Sequence, residues 1–463
     1  MRRVGEGPWC GLPPWLVWSG MEEIGTMSRF VFRNGRVFDG NDVLPASTTV
    51  VVESDRIALV TQDDVPVGED DRVVDLDGRT LMPGMVQCHF HTGFGPDAGN
   101  AAPYLGLNMP PAYLGMVAAR NAQIALDFGV TSIIGSSNGD LLDVCLKEAI
   151  LLGLTKGPRV LPCTREMMAS GDVADGDNRA WFMGIRNHGL VRRVDGVEAI
   201  RQAVREELGR GCEIVKLSIS NGHGSHPVPD WNYYRPEEIR AAVEEAHVRG
   251  ALVRAHCPTR TGIIECARAG VDIIDHADRI DDEGIETVLE AGATIAPSLL
   301  WTTRYLEFAD GWDYAQGPFP IGDGFPESRA RTIERLEQVR RDFDHTRSML
   351  PKLAEAGVRL VLGDDYGFAM MPHGDYASEM DVYVQNGIAP LEVMRWATRN
   401  GAQAMGRRGE RLGTIEHGKL ADLIVVEGDP TSDVLVHRDP NNIRMVMKDG
   451  QVEKDLLSSD VTH

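Results

Sequence analysis

The sequence predicts an α/β protein, a (β/α)8 TIM barrel carrying a small composite β-sandwich domain built from both termini. Three observations predict it. Short period-two segments with tight turns occupy both ends of the chain, eight short apolar runs punctuate the middle, and helix-period segments lie between those runs. Eight such βα units imply a barrel whose active site lies at the C-terminal ends of its strands.

At the N-terminal end, Phe30-Val31-Phe32, Arg36-Val37-Phe38, Thr48 to Val52, Arg56 to Val60 and Val73-Val74-Asp75-Leu76 alternate between turns such as Asn34-Gly35 and Asp39-Gly40. The same style returns in Gly413-Thr414-Ile415, Ala421 to Val426 and Met445 to Lys448, before the turn Asp449-Gly450. The apolar runs suited to buried parallel strands are Met85–Cys88, Val130–Ile134, Arg159–Leu161, Ile214–Leu217, Leu252–Ala255, Asp272–Ile274, Ala293–Ala296 and Leu360–Leu362. Between them, Pro236 to Arg249 is one clear helix, with Ile239, Ala242, Val243 and Ala246 on a single face. Gly250, Gly270, Gly292 and Gly357 stop helices just before the next strand. Residues 28–82 and 408–455 are read as the two parts of the β domain, 83–407 as the catalytic barrel and 456–463 as a tail. Residues 1–27 are read as a disordered extension or an over-long start rather than an export signal. Gly11, Pro13 and Pro14 break the apolar run there, and Met21 and Met27 offer later starts.

The chain has 463 residues, with 47 Lys+Arg against 69 Asp+Glu and a formal charge of −22. That balance repels phosphates, which argues against nucleic acid or an anionic membrane as partner. No apolar stretch reaches the ~18 residues a transmembrane helix needs. Seven scattered cysteines, mostly inside apolar runs, suggest reduced thiols and a cytoplasmic protein. The charged run from Arg329 to Arg347 reads as a solvated helix face.

Strand ends hold the chemistry. The first strand ends in His89-Phe90-His91, and alternation puts both imidazoles on one face. Strand four carries Lys216, strand five ends at His256, strand six at His276 and strand eight at Asp364-Asp365. A lone H-x-H is more often a pair of ordinary buried histidines. Six ligand-type residues at successive strand ends point instead to a divalent metal, with zinc, cobalt or manganese suited to imidazole and carboxylate. A lysine inside an apolar strand is costly unless paired. It either forms a salt bridge, to Asp275 or Asp365, or is carboxylated by carbon dioxide into an anionic bridge between two metals.

These residues resemble the amidohydrolase superfamily, in particular its imidazolonepropionase-like and prolidase-like branch. The motifs are Leu81-Met82-Pro83-Gly84-Met85-Val86 running into His89-Phe90-His91, Val215-Lys216-Leu217, Ala255-His256, Asp275-His276-Ala277, Leu362-Gly363-Asp364-Asp365 and Gly418-Lys419-Leu420-Ala421-Asp422-Leu423. Together they span Phe30 to Lys454. The resemblance implies two zinc ions (or cobalt or manganese). His89, His91 and Asp365 would hold the more buried one, His256 and His276 the other, and Lys216 would bridge them as N6-carboxylysine. It also implies that Asp365, Lys216 and His276 carry catalysis, with Asp365 moving the proton from attacking water to leaving nitrogen. The family usually has Ser or Thr before the strand-eight Asp; here Asp364 stands in that place.

Two departures argue against a dipeptide substrate. Pro258 occupies the place of a Tyr two residues after His256, and Ser170 replaces the His of a Gly-Gly-His-Gly-Asp segment. The loops instead offer Trp181, Phe182, Trp231, Tyr233, Tyr234, Trp301, Phe368, Met370 and Met371, which suit a small, largely apolar amide, urea or carbamate. This is similar to the phenylurea and thiocarbamate hydrolases. Ser170, Trp181, Tyr233, Trp301 and His373 are the candidate substrate contacts, while His223 and His226 read as surface or hydrogen-bonding residues. The alternatives are an Xaa-Pro or Xaa-Arg dipeptidase, an esterase or lactonase, and an inactive scaffold. Deamination is disfavoured by Thr259, where deaminases place a Glu. The family's habit also implies a homo-oligomer acting on a small molecule.

Overall fold

Period-two alternation near the N-terminus becomes paired strands in the computed structural model, which describes residues 29–95, 109–172, 189–223, 230–317, 319, 328–367 and 370–457. Strand β1 (Arg29–Arg33) runs beside β3 (Thr49–Glu53) and β5 (Arg72–Asp75), and β4 (Arg56–Thr61) completes a sheet of order β4-β3-β1-β5. A second sheet mixes the two ends of the chain. In it β2 (Arg36–Val37) and β6 (Thr80–Pro83) join β17 (Leu423–Val426), β18 (Ile443–Lys448) and β19 (Gln451–Asp455), with Leu423 opposite Pro83. Phe30, Phe32, Val50, Val52, Leu81, Leu423 and Met445 are buried in one cluster shared by the two sheets.

Every apolar run of the middle overlaps a strand. These are β7 (Met85–Phe90), β8 (Val130–Gly135), β9 (Arg159–Leu161), β12 (Ile214–Ser218), β13 (Leu252–Cys257), β14 (Ile273–His276), β15 (Thr294–Ala296) and β16 (Arg359–Leu360). Two strands not expected, β10 (Cys163–Met168) and β11 (Val191–Arg193), extend the third position. All the pairings are parallel, but the strands do not make one closed sheet. They fall into β7-β8-β9 and β11-β10-β12-β13-β14-β15-β16. Pro162 explains one break. It stands between β9 and β10, has no N–H for a ladder, and only accepts, from Glu213 and Ile214 at 2.8 and 3.2 Å. At the other break the backbone bond from Cys88 N–H to Leu362 O, at 2.9 Å, ties β7 to the segment that follows β16. There Gly363 lies so near β7 that a Cβ would fall 2.6 Å from His89 N, so only glycine lets the segment bearing Asp364 and Asp365 approach the histidines.

The helices behave as their patterns require. Pro236–His247 buries Ile239, Ala242, Val243 and Ala246 on one face. The four expected stop glycines adopt positive φ, from 68° at Gly292 to 90° at Gly270. The long charged run lies in the helix Arg329–Ala356.

One buried histidine lies apart from the strand ends. His437, in the short 3-10 helix Val434–Arg438, is 1% exposed, with neither ring nitrogen hydrogen-bonded. Burial pushes its pKa down to about 4. Unfolded, the ring titrates near the ordinary ~6.5, so between these values the unfolded chain binds a proton that the folded chain does not. Stability therefore falls on acidification through that window, by up to about 1.4 kcal/mol per pH step. His437→Leu is expected to recover about 2 kcal/mol more at pH 5.0 than at pH 7.5 in urea unfolding. An equal effect at both pH values would mean that the ring is not buried in its neutral form.

Candidate metal centre

His89 lies in β7 and His91 one residue past its end, so both rings project from the same side. Their Nε2 atoms are 3.2 Å apart, and Asp365 Oδ1 lies 2.7 Å from His89 Nε2 and 3.1 Å from His91 Nε2. His91 Nδ1 donates to the carbonyl of Ser137 at 3.3 Å. A carbonyl only accepts, so His91 carries a proton on Nδ1, and Nε2 is the nitrogen that faces Asp365. Burial pushes the His89 pKa down to about 4, so that ring is neutral near pH 7. Two imidazole nitrogens and a carboxylate oxygen thus converge on one point, a donor set that suits a divalent cation. Burial alone would raise the Asp365 carboxyl, but the His89 ring and hydrogen bonds with both histidines hold it well below the usual range.

A second group stands beside the first. Ligand atoms of His223, His276 and Asp365 lie within 4.8 Å of one another, so Asp365 belongs to both groups. His276 ends β14 with φ of 74°, Ala277 follows at 53°, and His223 has 51°. Left-handed backbone at non-glycine residues costs of order 1–3 kcal/mol each and tends to cluster at functional sites. The His223 ring stacks on His276 at 3.8 Å between centroids, and its Nδ1 is 3.1 Å from Asp278 Oδ1. His223 Nε2 and His276 Nδ1 are buried without a hydrogen-bond partner, as open coordination positions would be. His256 Nδ1 lies 2.9 Å from His276 Nε2, and burial pushes the His256 pKa down to about 3.

Lys216 meets Asp275, not Asp365. Its Nζ lies 2.6 Å from Asp275 Oδ2 and 3.4 Å from Ser136 Oγ, and the residue is 2% exposed. Arg254, wholly buried, binds the same carboxylate at 2.6 Å and also donates to the carbonyls of Cys88 and Gly135. Two cations on one buried carboxylate hold Asp275 far below its ordinary pKa despite burial. Arg254→Met would strip Asp275 of its guanidinium and leave two strand carbonyls unpaired. A loss of about 3–5 kcal/mol is expected, read as a lowered urea midpoint of the metal-free protein. A change below about 1 kcal/mol would mean that Lys216 alone compensates the charge.

The two strand-eight carboxylates have separate tasks. Asp364 turns away from the histidines. Its Oδ2 accepts from the N–H groups of Leu300 and Trp301 at 2.7 and 3.1 Å, and its Oδ1 from Asp365 N–H at 2.8 Å. Asp365 is the carboxylate that faces the donors.

The expected substrate contacts divide. Trp301 lies 5.2 Å from the His223 ring, and Leu299 and Thr302 of its helix line a cleft with His223. Tyr233 is half-buried, its hydroxyl 2.5 Å from Asn221 Nδ2. Ser170 is exposed and bound to Asp195 through backbone and hydroxyl. His373 gives one ring nitrogen to the His91 carbonyl at 3.1 Å and has the other 3.4 Å from Tyr376 Oη, so it braces His91 from behind. Tyr234 and Met371 are core residues, and Trp231 is 41% exposed. Trp181, Phe182, His226 and Phe368 lie outside the described residues. Sequence reasoning underrated His223. Its one signal was a place in the loop after the Lys216 strand.

The amidohydrolase family profile matches residues 80–452 of the chain. This chain belongs to the amidohydrolase family. It is an enzyme that hydrolyses C–N bonds. Ochratoxinase of Aspergillus niger is 28% identical to this amidohydrolase over 390 residues, covering 81% of the chain and 75% of the relative. The ochratoxinase crystal structure overlays with a TM-score of 0.77 at 25% identity, covering 93% and 96%. A prolidase solved with N-methylphosphonate-L-proline gives a TM-score of 0.76 at 27% identity, covering 92% and 100%. Phenylurea hydrolase B shares the fold, with a TM-score of 0.68 at 21% identity and coverage of 94% and 99%. Among the described residues of the amidohydrolase, no helix is long and apolar enough to cross a membrane.

Proposed function

We propose that this amidohydrolase uses two divalent metal ions, zinc or else cobalt or manganese, to cleave the C–N bond at the carbonyl of a small, largely apolar amide, urea or carbamate. The observation that carries the reading is that Asp365 belongs to two adjoining donor groups at once. His89, His91 and Asp365 would hold one ion. His276 and His256 would hold the other, with His223 close enough to join them, and Lys216 would bridge as a carboxylated lysine once released from Asp275. We read the two parallel sheets as arcs of one (β/α)8 barrel over residues 83–407, with residues 28–82 and 408–455 forming its β domain. A cytoplasmic homo-oligomer without nucleic-acid or membrane partners accords with the charge and the scattered thiols.

Bound divalent ions supply Lewis-acid polarisation of a carbonyl and bring the pKa of water down to about 7. The chain's residues do the rest. Asp365, whose side chain keeps 16% exposure while His89 keeps 1%, accepts the proton of the attacking water at its carboxylate. It then delivers that proton to the leaving nitrogen, which is too basic to depart as an anion. Ser137 and His373 hold His91 through its ring and its carbonyl, so the ligand nitrogen keeps its aim as charge shifts.

The small cleft beside His223 has a lining that accords with the substrate class. Leu299, Val339 and Phe343 give it apolar walls, and Thr302 and Gln338 add polar groups without net charge. Its acidic members are already paired, Asp278 with His223 and Asp342 with Arg279. The 27%-identical prolidase favours a dipeptidase as the second reading. The test is metal content per chain on protein purified without added metal, beside turnover of a phenylurea, an aryl carbamate, an N-acyl dipeptide and an Xaa-Pro dipeptide. Two ions with urea or carbamate turnover is the expected outcome. Dipeptide turnover alone would keep the mechanism and overturn the substrate class, and a metal-free, inactive protein would overturn both.

A further inference from the structure

We infer that Asp364 is a specificity-determining positioning residue, which locks the helix start that carries Leu299, Trp301 and Thr302 beside His223 to the loop that presents Asp365. Asp364 is wholly buried, and its two oxygens take three backbone N–H groups, from Leu300, Trp301 and Asp365. The first two belong to the opening turn of the helix Leu299–Asp310, where a carboxylate also meets the positive end of the helix dipole. Ser298, just before that turn, is left-handed with φ of 54° and donates through Oγ to the Gly363 carbonyl at 3.1 Å. Helix and loop are thus clasped in both directions, and Trp301, stacked on Tyr305 at 4.9 Å, is carried on the clasp. A Ser or Thr hydroxyl is one oxygen and cannot span three N–H groups. Replacement by such a residue frees the helix start, and with it the distance from the Trp301 indole to His223, while every side chain of the donor groups is kept.

The inference rests on the hydrolase reading, so its test has one arm that needs no turnover. In Asp364→Ser, amide hydrogen exchange across 299–310 is expected to quicken while bound metal stays at the wild-type level; unchanged exchange would overturn the clasp. In turnover, Asp364→Ser is expected to raise KM about tenfold for a bulky aromatic substrate and to leave the KM of its smallest alkyl analogue near wild type, with any change in kcat the same for both. Asp364→Asn, which keeps the shape and one accepting oxygen, should recover part of that loss. Trp301→Ala should show the same split, and the double variant Asp364→Ser/Trp301→Ala should be no worse than Trp301→Ala alone. Additive effects, or an equal rise in KM for both substrates, would overturn the inference. If wild type turns over neither substrate, the hydrolase reading fails, and the exchange result still judges the clasp.

Discussion

Asp365→Asn is expected to keep bound metal and to lose about 10³-fold in kcat on the best substrate of the panel. The asparagine oxygen still reaches the position between His89 and His91, where the carboxylate oxygen lies within 3.1 Å of both Nε2 atoms. It cannot take up a proton at neutral pH. Loss of proton transfer with retained binding therefore separates the two tasks of this side chain, and kcat with metal analysis on one sample reads both. The neighbouring residue is the control, because Asp364→Asn leaves the Asp365 carboxylate in place. A fully active Asp365→Asn beside a dead Asp364→Asn would reverse the assignment of the two carboxylates. Metal loss in Asp365→Asn would show that its charge, more than its proton, is what the site requires.

The strand-end residues were legible because period two leaves little choice. Every residue of β7, β12 and β14 is buried, so burial does not tell the two faces apart; His89, Lys216 and His256 follow from the apolar neighbours on either side of them, which take the opposite face, and His276 from ending its strand. Parity could not see which partner a charged strand residue takes. Lys216 reached Asp275 because β12, β13 and β14 pair in register, with Lys216 opposite Arg254 and Arg254 opposite Ile273, two residues before Asp275. Loops follow no period. His223 joins the donors through a left-handed turn and its bond to Asp278, and Asp195, which takes both the N–H and the hydroxyl of Ser170, is a partner that no period announces. The separate sheets were illegible for a similar reason. Pro162 looks like a strand boundary in the sequence, whereas β9 and β10 continue through it and pair with different neighbours.

Lys216→Ala is expected to lower metal from two ions per chain toward one and to cut turnover by at least about 100-fold. The fold should survive, because Arg254 still neutralises Asp275 through two nitrogens at 2.6 and 3.2 Å. That separates this variant from Arg254→Met, in which the same carboxylate keeps only the lysine. Lys216→Glu carries a carboxylate on a shorter stem and should retain more metal than Lys216→Ala, though less than wild type. The bridging role makes a further demand. An ammonium 2.6 Å from Asp275 must give up its proton before its nitrogen can attack carbon dioxide. Metal uptake by the stripped wild-type protein should therefore be faster with bicarbonate than in carbon-dioxide-free buffer, and faster at pH 8.5 than at pH 6.5. Lys216→Ala should show neither dependence. Equal uptake with and without bicarbonate in wild type would leave Lys216 as the permanent partner of Asp275, and the two ions would then have only Asp365 in common.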